Sequence, residues 1–136
     1  MRDRPFIAIV DDDPSVCKAL NRLIRSARMD AETFNSAAEF LESGLSRQPD
    51  CLILDVQMPG MTGLELRDRL VGRRHRIPII FITAHEDIGV SESTSVREAV
   101  AFLRKPFGDQ LLLAAVAEAL KGQTPRSSPT GEGSRQ

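Results

Sequence analysis

The chain lacks several features that would place it in a specialised class of protein. Its 136 residues include no tryptophan, no tyrosine and only two cysteines. No apolar run approaches the roughly 20 residues that a membrane-spanning helix needs, so the sequence predicts no membrane span. The formal net charge of −1 gives no support to binding of nucleic acid or of a membrane surface through bulk charge. With 41% hydrophobic residues, the chain fits one globular domain with a buried core.

The cysteines and the N-terminal residues favour a cytoplasmic protein. Cys17 falls in a predicted helix and Cys51 in a predicted buried strand. A free cysteine in such a position is usually a small apolar core residue and not a metal ligand or half of a disulfide. Residues 2–5 lead directly into a strand and leave no room for a signal peptide.

Short apolar runs alternate with amphipathic segments along the chain, which predicts an α/β fold with a parallel sheet and right-handed crossovers. The predicted strands cover residues 6–10, 31–34, 51–55, 79–83 and 100–103. The predicted helices cover residues 14–29, 36–44, 62–72 and 109–120, with a further helical segment at 88–98. We expect one domain at 1–121, followed at 122–136 by a Pro-, Ser- and Gly-rich disordered tail or linker.

Acidic residues stand where two of the predicted strands end. Asp55 closes the apolar run that starts at Cys51, and Asp11 and Asp12 follow directly after Val10. In a doubly wound, flavodoxin-like sheet of order 2-1-3-4-5, the first and third strands are neighbours at the point where such sheets bind ligands. Three clustered carboxylates repel one another, and Mg²⁺, which takes carboxylate oxygens, removes that cost. The sequence therefore predicts a magnesium site formed by these three aspartates.

Two further polar residues complete this pattern, since Thr83 ends the fourth predicted strand and Lys105 follows the fifth. Each feature is common alone, because an aspartate after a strand is usually a turn or cap residue and a lone lysine is usually a solvated charge. Chance does not predict that all of them fall at the ends of four strands. Carboxylates, a metal ion, a hydroxyl and an ammonium group suit phosphoryl transfer, in which positive charge neutralises the phosphoryl oxygens while a carboxylate attacks.

The residues at these strand ends resemble the motif set of bacterial response-regulator receiver domains of the CheY-like superfamily. The resemblance covers about residues 5–121 and rests on the order and spacing of the motifs. It is carried by Val10-Asp11-Asp12, by Asp55 with Met58-Pro59-Gly60-Met61-Thr62-Gly63, by Thr83-Ala84 and by Lys105-Pro106-Phe107. The last two stretches, together with His85, are most similar to the FixJ-like branch.

This resemblance implies a phosphorylation site. It implies that Asp55 is the phosphoacceptor and that a sensor histidine kinase or a phosphotransfer protein donates the phosphoryl group. Asp11 and Asp12 would hold Mg²⁺ with the main-chain carbonyl of Gln57, and Lys105 would contact the phosphoryl group. A receiver of this kind is not itself an enzyme, and it acts without a membrane and without direct contact to nucleic acid.

The resemblance also implies how phosphorylation is reported to a partner or an output domain. Thr83 would be the switch hydroxyl and Phe102 the aromatic side chain that moves with it, and the Lys105-Pro106 peptide bond would be cis. A homodimer of receivers is left open, as is whether the receiver stands alone or belongs to a longer regulator.

Gln57 and His85 lie two residues beyond the acceptor and the switch hydroxyl. On loops that overhang the phosphoryl group, they would block or orient the attacking water and so set the lifetime of the phosphorylated state. No second histidine or cysteine near His85 supports a metal-ligand role for it.

Residues 88–98 and the basic run at 73–76 each allow more than one interpretation. Residues 88–98 have few apolar residues and several serines, which are mediocre helix formers, so we expect this segment to be the least stable part of the fold and the part that phosphorylation reorganises. The alternative is an ordinary helix with a serine-rich exposed face. Glu98 stands where receivers usually have a glycine, which leaves the mode of output open. The basic run at 73–76 follows a helix end and has no interleaved aromatic residues, which favours a solvated loop over a nucleic-acid patch.

Two alternative functions remain open from the sequence. Residues 11–15 also satisfy the acidic motif of haloacid-dehalogenase phosphohydrolases, with Asp11 as the nucleophile, Asp13 as the acid, and Glu86 and Asp87 as later acids. Such an enzyme would leave Asp55 without a role, and the chain is short for it. The second alternative is a receiver-like interaction module that is no longer phosphorylated, against which the complete set of polar residues argues.

Overall fold

Five short strands form the centre of the molecule, and the computed structural model describes residues 4–43, 48–72, 77–83 and 101–122. The strands are β1 (Phe6–Val10), β2 (Asp30–Phe34), β3 (Cys51–Asp55), β4 (Ile79–Thr83) and β5 (Ala101–Arg104). The described helices are α1 (Pro14–Ser26), α2 (Ala37–Glu42), α3 (Gly63–Gly72) and α4 (Asp109–Gly122).

The strands pair in the order β2-β1-β3-β4-β5, and all four pairings are parallel. The predicted sheet order is therefore confirmed, with β1 and β3 adjacent at the point where the order reverses. Val10 pairs with Leu54, so the last residues of these two strands lie side by side. Because every strand runs in the same direction, the residues that follow the strands meet at one edge of the sheet.

Apolar side chains cover both faces of the sheet. The three central strands β1, β3 and β4 are buried along their whole length, as their uninterrupted apolar runs predict. One core cluster joins the sheet to α1 and α4, and a second joins the opposite face to α2 and α3. Burial of each Ile or Leu side chain contributes about 1.5–3 kcal/mol to the stability of the fold. The well-packed central strands therefore fix the positions of the acidic residues at their ends.

The end of α1 differs from the prediction. The helix ends at Ser26, three residues before the expected Met29. Arg28 takes a left-handed backbone conformation with φ of 66°, and the main-chain N–H of Met29 donates to the Ile24 carbonyl at 3.3 Å. This is the hydrogen-bond pattern that closes many helices, usually with glycine in the left-handed position, and an arginine there gives no signal in the sequence.

Smaller differences occur at other boundaries. β2 begins one residue earlier than predicted, β5 is shifted by one residue toward the C-terminus, and α4 continues to Gly122. Ser36 caps α2 as predicted and accepts from the Glu39 N–H at 3.0 Å. Glu39 accepts in turn from the main-chain N–H of Asn35 at 2.8 Å, one residue before the expected position.

Several predictions fall outside the described residues: the basic run at 73–76, His85, the acidic pair Glu86 and Asp87, the segment 88–98, the helix-ending Gly44 and the tail from 123 onward. Both cysteines are free and buried, as predicted. None of the helices in the described ranges combines the length and the apolar character that crossing a membrane requires.

Candidate functional site

Three carboxylates gather at the sheet edge where β1 and β3 end. Asp11, Asp12 and Asp55 each place one carboxylate oxygen within 4.8 Å of the other two. Asp11 is 0% exposed and Asp55 4% exposed, whereas Asp12 is exposed. Two buried acids and one at the surface therefore form a cluster that is open to solvent on one side.

Asp11 is fixed by hydrogen bonds to both of its carboxylate oxygens. Its Oδ1 accepts from the Asp13 N–H at 2.8 Å, and its Oδ2 accepts from the Lys105 ammonium group at 3.0 Å. The main-chain N–H of Asp11 donates to the Phe34 carbonyl at 3.0 Å. The Asp11 side chain therefore has one orientation, with its negative charge partly balanced by Lys105.

Cys17 holds the main chain of Asp11 from the side of α1. Its Sγ lies 3.2 Å from the Asp11 carbonyl oxygen in a buried hydrogen bond. Burial, together with the charge of Asp11, raises the pKa of Cys17 to about 11, so the thiol keeps its proton and donates it. The burial of Cys17 is predictable from the sequence, but this contact is not, because no sequence pattern signals it.

The negative charge of the Asp55 carboxylate is less well compensated than that of Asp11. Its Oδ1 accepts from the Gln57 N–H at 3.2 Å. Burial raises the pKa of Asp55 to about 7, and the charge of Asp11 adds to this effect, while Lys105 and the Gln57 N–H offset it only in part. The carboxyl group therefore titrates near neutral pH as long as no further positive charge enters the cluster.

Lys105 supplies the positive charge that faces this cluster. Burial alone would lower the pKa of Lys105, but the hydrogen bond and charge of Asp11, with the charges of Asp55 and Asp13, outweigh it and raise the pKa. The ammonium group is therefore charged at neutral pH. The main-chain N–H of Lys105 donates to the Thr83 carbonyl at 2.7 Å, and the Lys105-Pro106 bond is cis, as predicted.

The loop after β3 presents Asp55 through two glycines. Gly60 has a φ of 80°, a conformation that favours glycine. A Cβ atom on Gly63 would overlap the main-chain oxygen of Asp55, and the Gly63 N–H donates to the Val56 carbonyl at 2.9 Å. The start of α3 therefore packs directly on the end of β3, and the glycine after Thr62 in the sequence is the signal for this close approach.

Thr83 and Phe102 lie on the two strands beyond β3. Thr83 is fully buried at the end of β4, one residue beyond the pairing of Asp55 with Ile82. Phe102 pairs with Phe81 on the neighbouring strand and is half-buried against the core cluster of α2 and α3. The switch roles of these two residues stay predictions.

Asp13, the acid of the phosphohydrolase alternative, is used in the fold. Its side chain accepts from the Ser15 N–H at 2.9 Å and caps the start of α1. The Asp13 carboxylate therefore has a structural role as the N-cap of α1.

The donor set of the cluster suits Mg²⁺. This ion takes oxygen ligands and is usually bound through one or two carboxylates together with water and phosphate oxygens. Burial and the charge of Asp11 raise the pKa of Asp55, so its ionised form is destabilised in the folded protein, and a divalent cation at the cluster would stabilise that form. Asp11, Asp12 and Asp55 thus fit the ion that the sequence predicts.

Comparison with known proteins identifies the family. The sequence model described as "Response regulator receiver domain" matches residues 7–117. The response regulator protein TodT of Pseudomonas putida strain F1 is 43% identical over 122 residues, which are 89% of this chain and 54% of TodT. The chain belongs to the response regulator receiver domain family.

Solved structures agree with this assignment. A response regulator receiver protein from Burkholderia phymatum is 48% identical, with a TM-score of 0.76, over 90% of this chain and 99% of that one. The crystal structure of FixJ-N is 30% identical, with a TM-score of 0.80, over 92% of this chain and 99% of that one. The predicted receiver fold and the phosphoacceptor role in two-component signalling are confirmed, and these relatives give no support to either alternative function. The chain spans about half the length of TodT.

Proposed function

We propose that Asp55 accepts a phosphoryl group from the phosphohistidine of a sensor histidine kinase or phosphotransfer protein, and from small phosphodonors, in a reaction that needs Mg²⁺. The observation that supports this proposal is the position of Asp55, buried at the junction of β1 and β3 within 4.8 Å of Asp11 and Asp12. The carboxylate is held by a main-chain hydrogen bond and faces a lysine.

In the transfer step, a carboxylate oxygen of Asp55 attacks the phosphorus atom. The bond from phosphorus to the donor nitrogen breaks, and the imidazole leaves with the electron pair and takes up a proton. Asp11, Asp12 and the main-chain carbonyl of Gln57 would hold Mg²⁺, and the ion would supply positive charge to the phosphoryl oxygens. Lys105, whose ammonium group lies 3.0 Å from Asp11, would add a second positive charge beside these oxygens.

Thr83 and Phe102 are proposed to report the phosphorylated state. Thr83 is buried one residue past the neighbour of Asp55, so its hydroxyl group can turn toward a new phosphoryl oxygen. The space that it leaves can be filled by Phe102, which is only half-buried on the adjacent strand. Phosphorylation would then shift the population between two arrangements through its contacts with the hydroxyl group.

The scope of the activity follows from the acceptor being a residue of the protein itself. The phosphoryl group ends on Asp55, so we propose a phosphoacceptor and not a catalyst acting on a separate substrate. The same proposal includes a partner or domain that receives the output, and it leaves room for a homodimer of receivers. It also includes a receiver domain at 1–121 that is followed by a tail or linker at 122–136. Free, buried Cys17 and Cys51 suit a reducing compartment, and we propose a cytoplasmic location.

Intact mass spectrometry after treatment with acetyl phosphate and Mg²⁺ tests the acceptor. We expect wild type to gain the mass of one phosphoryl group and Asp55→Asn to gain none, with EDTA abolishing the gain. Asp68→Asn, which changes an exposed aspartate on α3, is the matched control and should behave as wild type. Labelling of Asp55→Asn, or labelling that survives EDTA, would contradict the proposal, and loss of labelling only in Asp11→Asn would point to the phosphohydrolase.

The same mass peak also measures the lifetime of the phosphorylated state. The Gln57 side chain is exposed beside the acceptor, and we propose that it and His85 control access of water to the phosphoryl group. Substitutions at these two positions should change the decay rate of the peak. Unchanged decay across several substitutions at both positions would exclude this role.

A further inference from the structure

The sequence separates its charges at one edge of the sheet. Residues 14–28 contain four basic residues and no acidic residue, whereas residues 29–43 contain four acidic residues and no basic residue. The basic residues are Lys18, Arg22, Arg25 and Arg28, and the acidic ones are Asp30, Glu32, Glu39 and Glu42. Because the whole chain has a net charge of only −1, these two blocks reflect segregation of charge and not an excess of one sign.

The fold places these blocks on opposite faces of the sheet. α1 packs on the face that includes Ala31 of the edge strand β2, and α2 packs on the face that includes Phe34. Alternation along a strand puts Glu32 on the same face as Phe34. Glu32 is exposed on this side of β2, and Glu39 and Glu42 are exposed on α2, which packs on the same side. These three residues are here called the acidic face, and the helix that carries Lys18, Arg22 and Arg25 packs on the opposite side.

The basic side contains a groove of about 360 Å³ between α1 and β2, here called the cationic groove, whose polar lining includes Lys18, Asn21, Arg22, Thr33 and Asn35. None of the described residues that line it is acidic. Lys18 and Arg22 are exposed and form no ion pair within the described part of the chain. Asn21 Oδ1 accepts from Arg25 Nε at 2.7 Å, which leaves the amide N–H groups of Asn21 to donate. The groove thus offers donors and positive charge to carboxylates.

The main chain at this edge is partly covered. Arg25 Nη2 donates to the Ala31 carbonyl oxygen at 2.8 Å, so a side chain occupies an acceptor that a further strand would need. Natural edge strands are protected from pairing by charged side chains in this way. A partner at this edge would therefore be bound through charged side chains more than through added strand pairing.

Symmetry decides which parts of two copies would meet here. A two-fold axis along the sheet normal brings α1 beside α1 and α2 beside α2, which opposes like charges. A two-fold axis along the strands exchanges the faces, so that the cationic groove of each copy meets the acidic face of the other. We propose that a second copy of this chain docks at the β2 edge in the second arrangement, with two equivalent groove-to-acid contacts.

The association should be weak and sensitive to salt. Exposed ion pairs contribute about 0.2–1 kcal/mol each, and a two-fold interface makes every pair twice. The Debye length falls from about 30 Å at 0.01 M salt to about 3 Å at 1 M, so salt should dissociate the pair. The contact requires neither Asp55 nor a phosphodonor and is independent of the proposed phosphoryl acceptance.

Charge reversal on each side tests the arrangement by sedimentation equilibrium of the full chain, without phosphodonor, at low and high salt. One variant carries Lys18→Glu and Arg22→Glu, and the other carries Glu32→Lys and Glu42→Lys; Glu39 is kept because it accepts the Asn35 N–H. Wild type should associate reversibly at low salt and dissociate at high salt. Each variant alone should stay monomeric, and an equimolar mixture of the two should associate as wild type does, because only the mixed pair restores opposite charges in both contacts.

Lys121→Glu, which reverses an exposed charge on α4, is the control and should associate as wild type does. Circular dichroism establishes that each variant is folded, and the salt dependence of wild type tests the proposal without any variant. A wild type that is monomeric at low salt, association that persists at high salt, or a mixture that does not recover association would overturn the proposal.

Discussion

Asp11 and Asp55 are chemically identical side chains, buried to a similar extent, whose surroundings differ at the scale of single residues. Asp11 accepts from the Lys105 ammonium group and from a main-chain N–H, whereas Asp55 accepts from the Gln57 N–H at 3.2 Å and its pKa is raised to about 7. A nucleophile needs a carboxylate that is available for attack. Both carboxylate oxygens of Asp11 are occupied by hydrogen bonds, one of them from Lys105. Asp55 is therefore the better placed of the two to act as the nucleophile.

The raised pKa of Asp55 predicts how stability depends on pH when Mg²⁺ is absent. The folded pKa of about 7 lies above the usual 3.8, so the native state binds the proton more tightly than the unfolded chain. The contribution of Asp55 is fully present below about pH 4 and is lost as the pH rises through about 7. The shift of about three pKa units corresponds to an upper limit of about 4 kcal/mol, at 1.36 kcal/mol per unit.

Urea unfolding followed by circular dichroism in EDTA measures this effect, since the chain has no tryptophan or tyrosine. We expect wild type to lose on the order of 2 kcal/mol between pH 5 and 8 relative to Asp55→Asn, which has no titrating group there. Asp68→Asn should keep the pH dependence of wild type. Parallel pH profiles for wild type and Asp55→Asn would show that folding does not raise the pKa of Asp55.

Removal of the Thr83 hydroxyl group should separate phosphorylation from its structural response. Thr83 is fully buried, but it is not one of the three clustered carboxylates. Thr83→Ala should therefore still gain a phosphoryl group, while its amide spectrum should change less than that of wild type on addition of beryllofluoride. Thr33→Ala on β2 is the control. A full spectral change in Thr83→Ala would mean that Thr83 is not the switch.

At the scale of secondary-structure elements, the contact between α3 and β3 fixes where Asp55 stands. Gly63 has no room for a side chain because the Asp55 main-chain oxygen occupies that space. Thr62 Oγ1 accepts from the Glu65 N–H at 3.1 Å, and Glu65 Oε1 accepts from the Thr62 N–H at 2.9 Å, so a reciprocal cap holds the helix start in place. The Gly63 N–H donates to the Val56 carbonyl at 2.9 Å, so this helix start is bonded to the residue that follows Asp55.

Gly63→Ala is expected to displace the end of β3 and so to weaken both the fold and the site. Overpacking of this kind costs about 1–3 kcal/mol, and phosphorylation of Asp55 by acetyl phosphate should slow. Gly108→Ala is the matched control, since nothing lies within 4 Å of a Cβ atom at that position. Equal unfolding free energies and equal phosphorylation rates in the two variants would rule out a positioning role for the close approach.

The three central strands could be predicted to the residue because their apolar runs are buried along their whole length. β1, β3 and β4 match the prediction at both ends. The end of α1 could not be predicted, because it depends on Arg28 adopting a left-handed conformation, which its residue type disfavours. The cap on α2 shows the same limit, since Glu39 reaches a neighbouring N–H through loop geometry.

The composition of the site was predictable and its internal pairing was not. The position of Asp11, Asp12 and Asp55 after neighbouring strands is a consequence of strand order, which the alternation of elements indicates. The pairing of Lys105 with Asp11, in contrast, depends on side-chain reach, and the thiol contact of Cys17 depends on how α1 packs. Sequence patterns specify which strand ends meet, but not which atoms pair there.

At the scale of the whole molecule, the site joins residues that are distant in both sequence and sheet. Asp11 and Lys105 are 94 positions apart, and two strands separate β1 from β5 in the sheet. The Lys105 side chain therefore reaches across the ends of β4 and β3. Any ligand that binds the cluster only when these strand ends are assembled must stabilise the entire fold.

Mg²⁺ is therefore expected to raise the free energy of unfolding. A ligand that binds only the native state adds about 1.4 kcal/mol for each tenfold excess over its dissociation constant. Asp12→Asn removes the exposed carboxylate of the cluster, so it should fold as wild type does in EDTA and gain less on addition of Mg²⁺. Urea unfolding at matched ionic strength measures both, with Glu118→Gln, an exposed change on α4, expected to retain the full gain. Equal gains in wild type and Asp12→Asn, or a gain reproduced by sodium chloride alone, would mean that the stabilising cation is not held by the aspartate cluster.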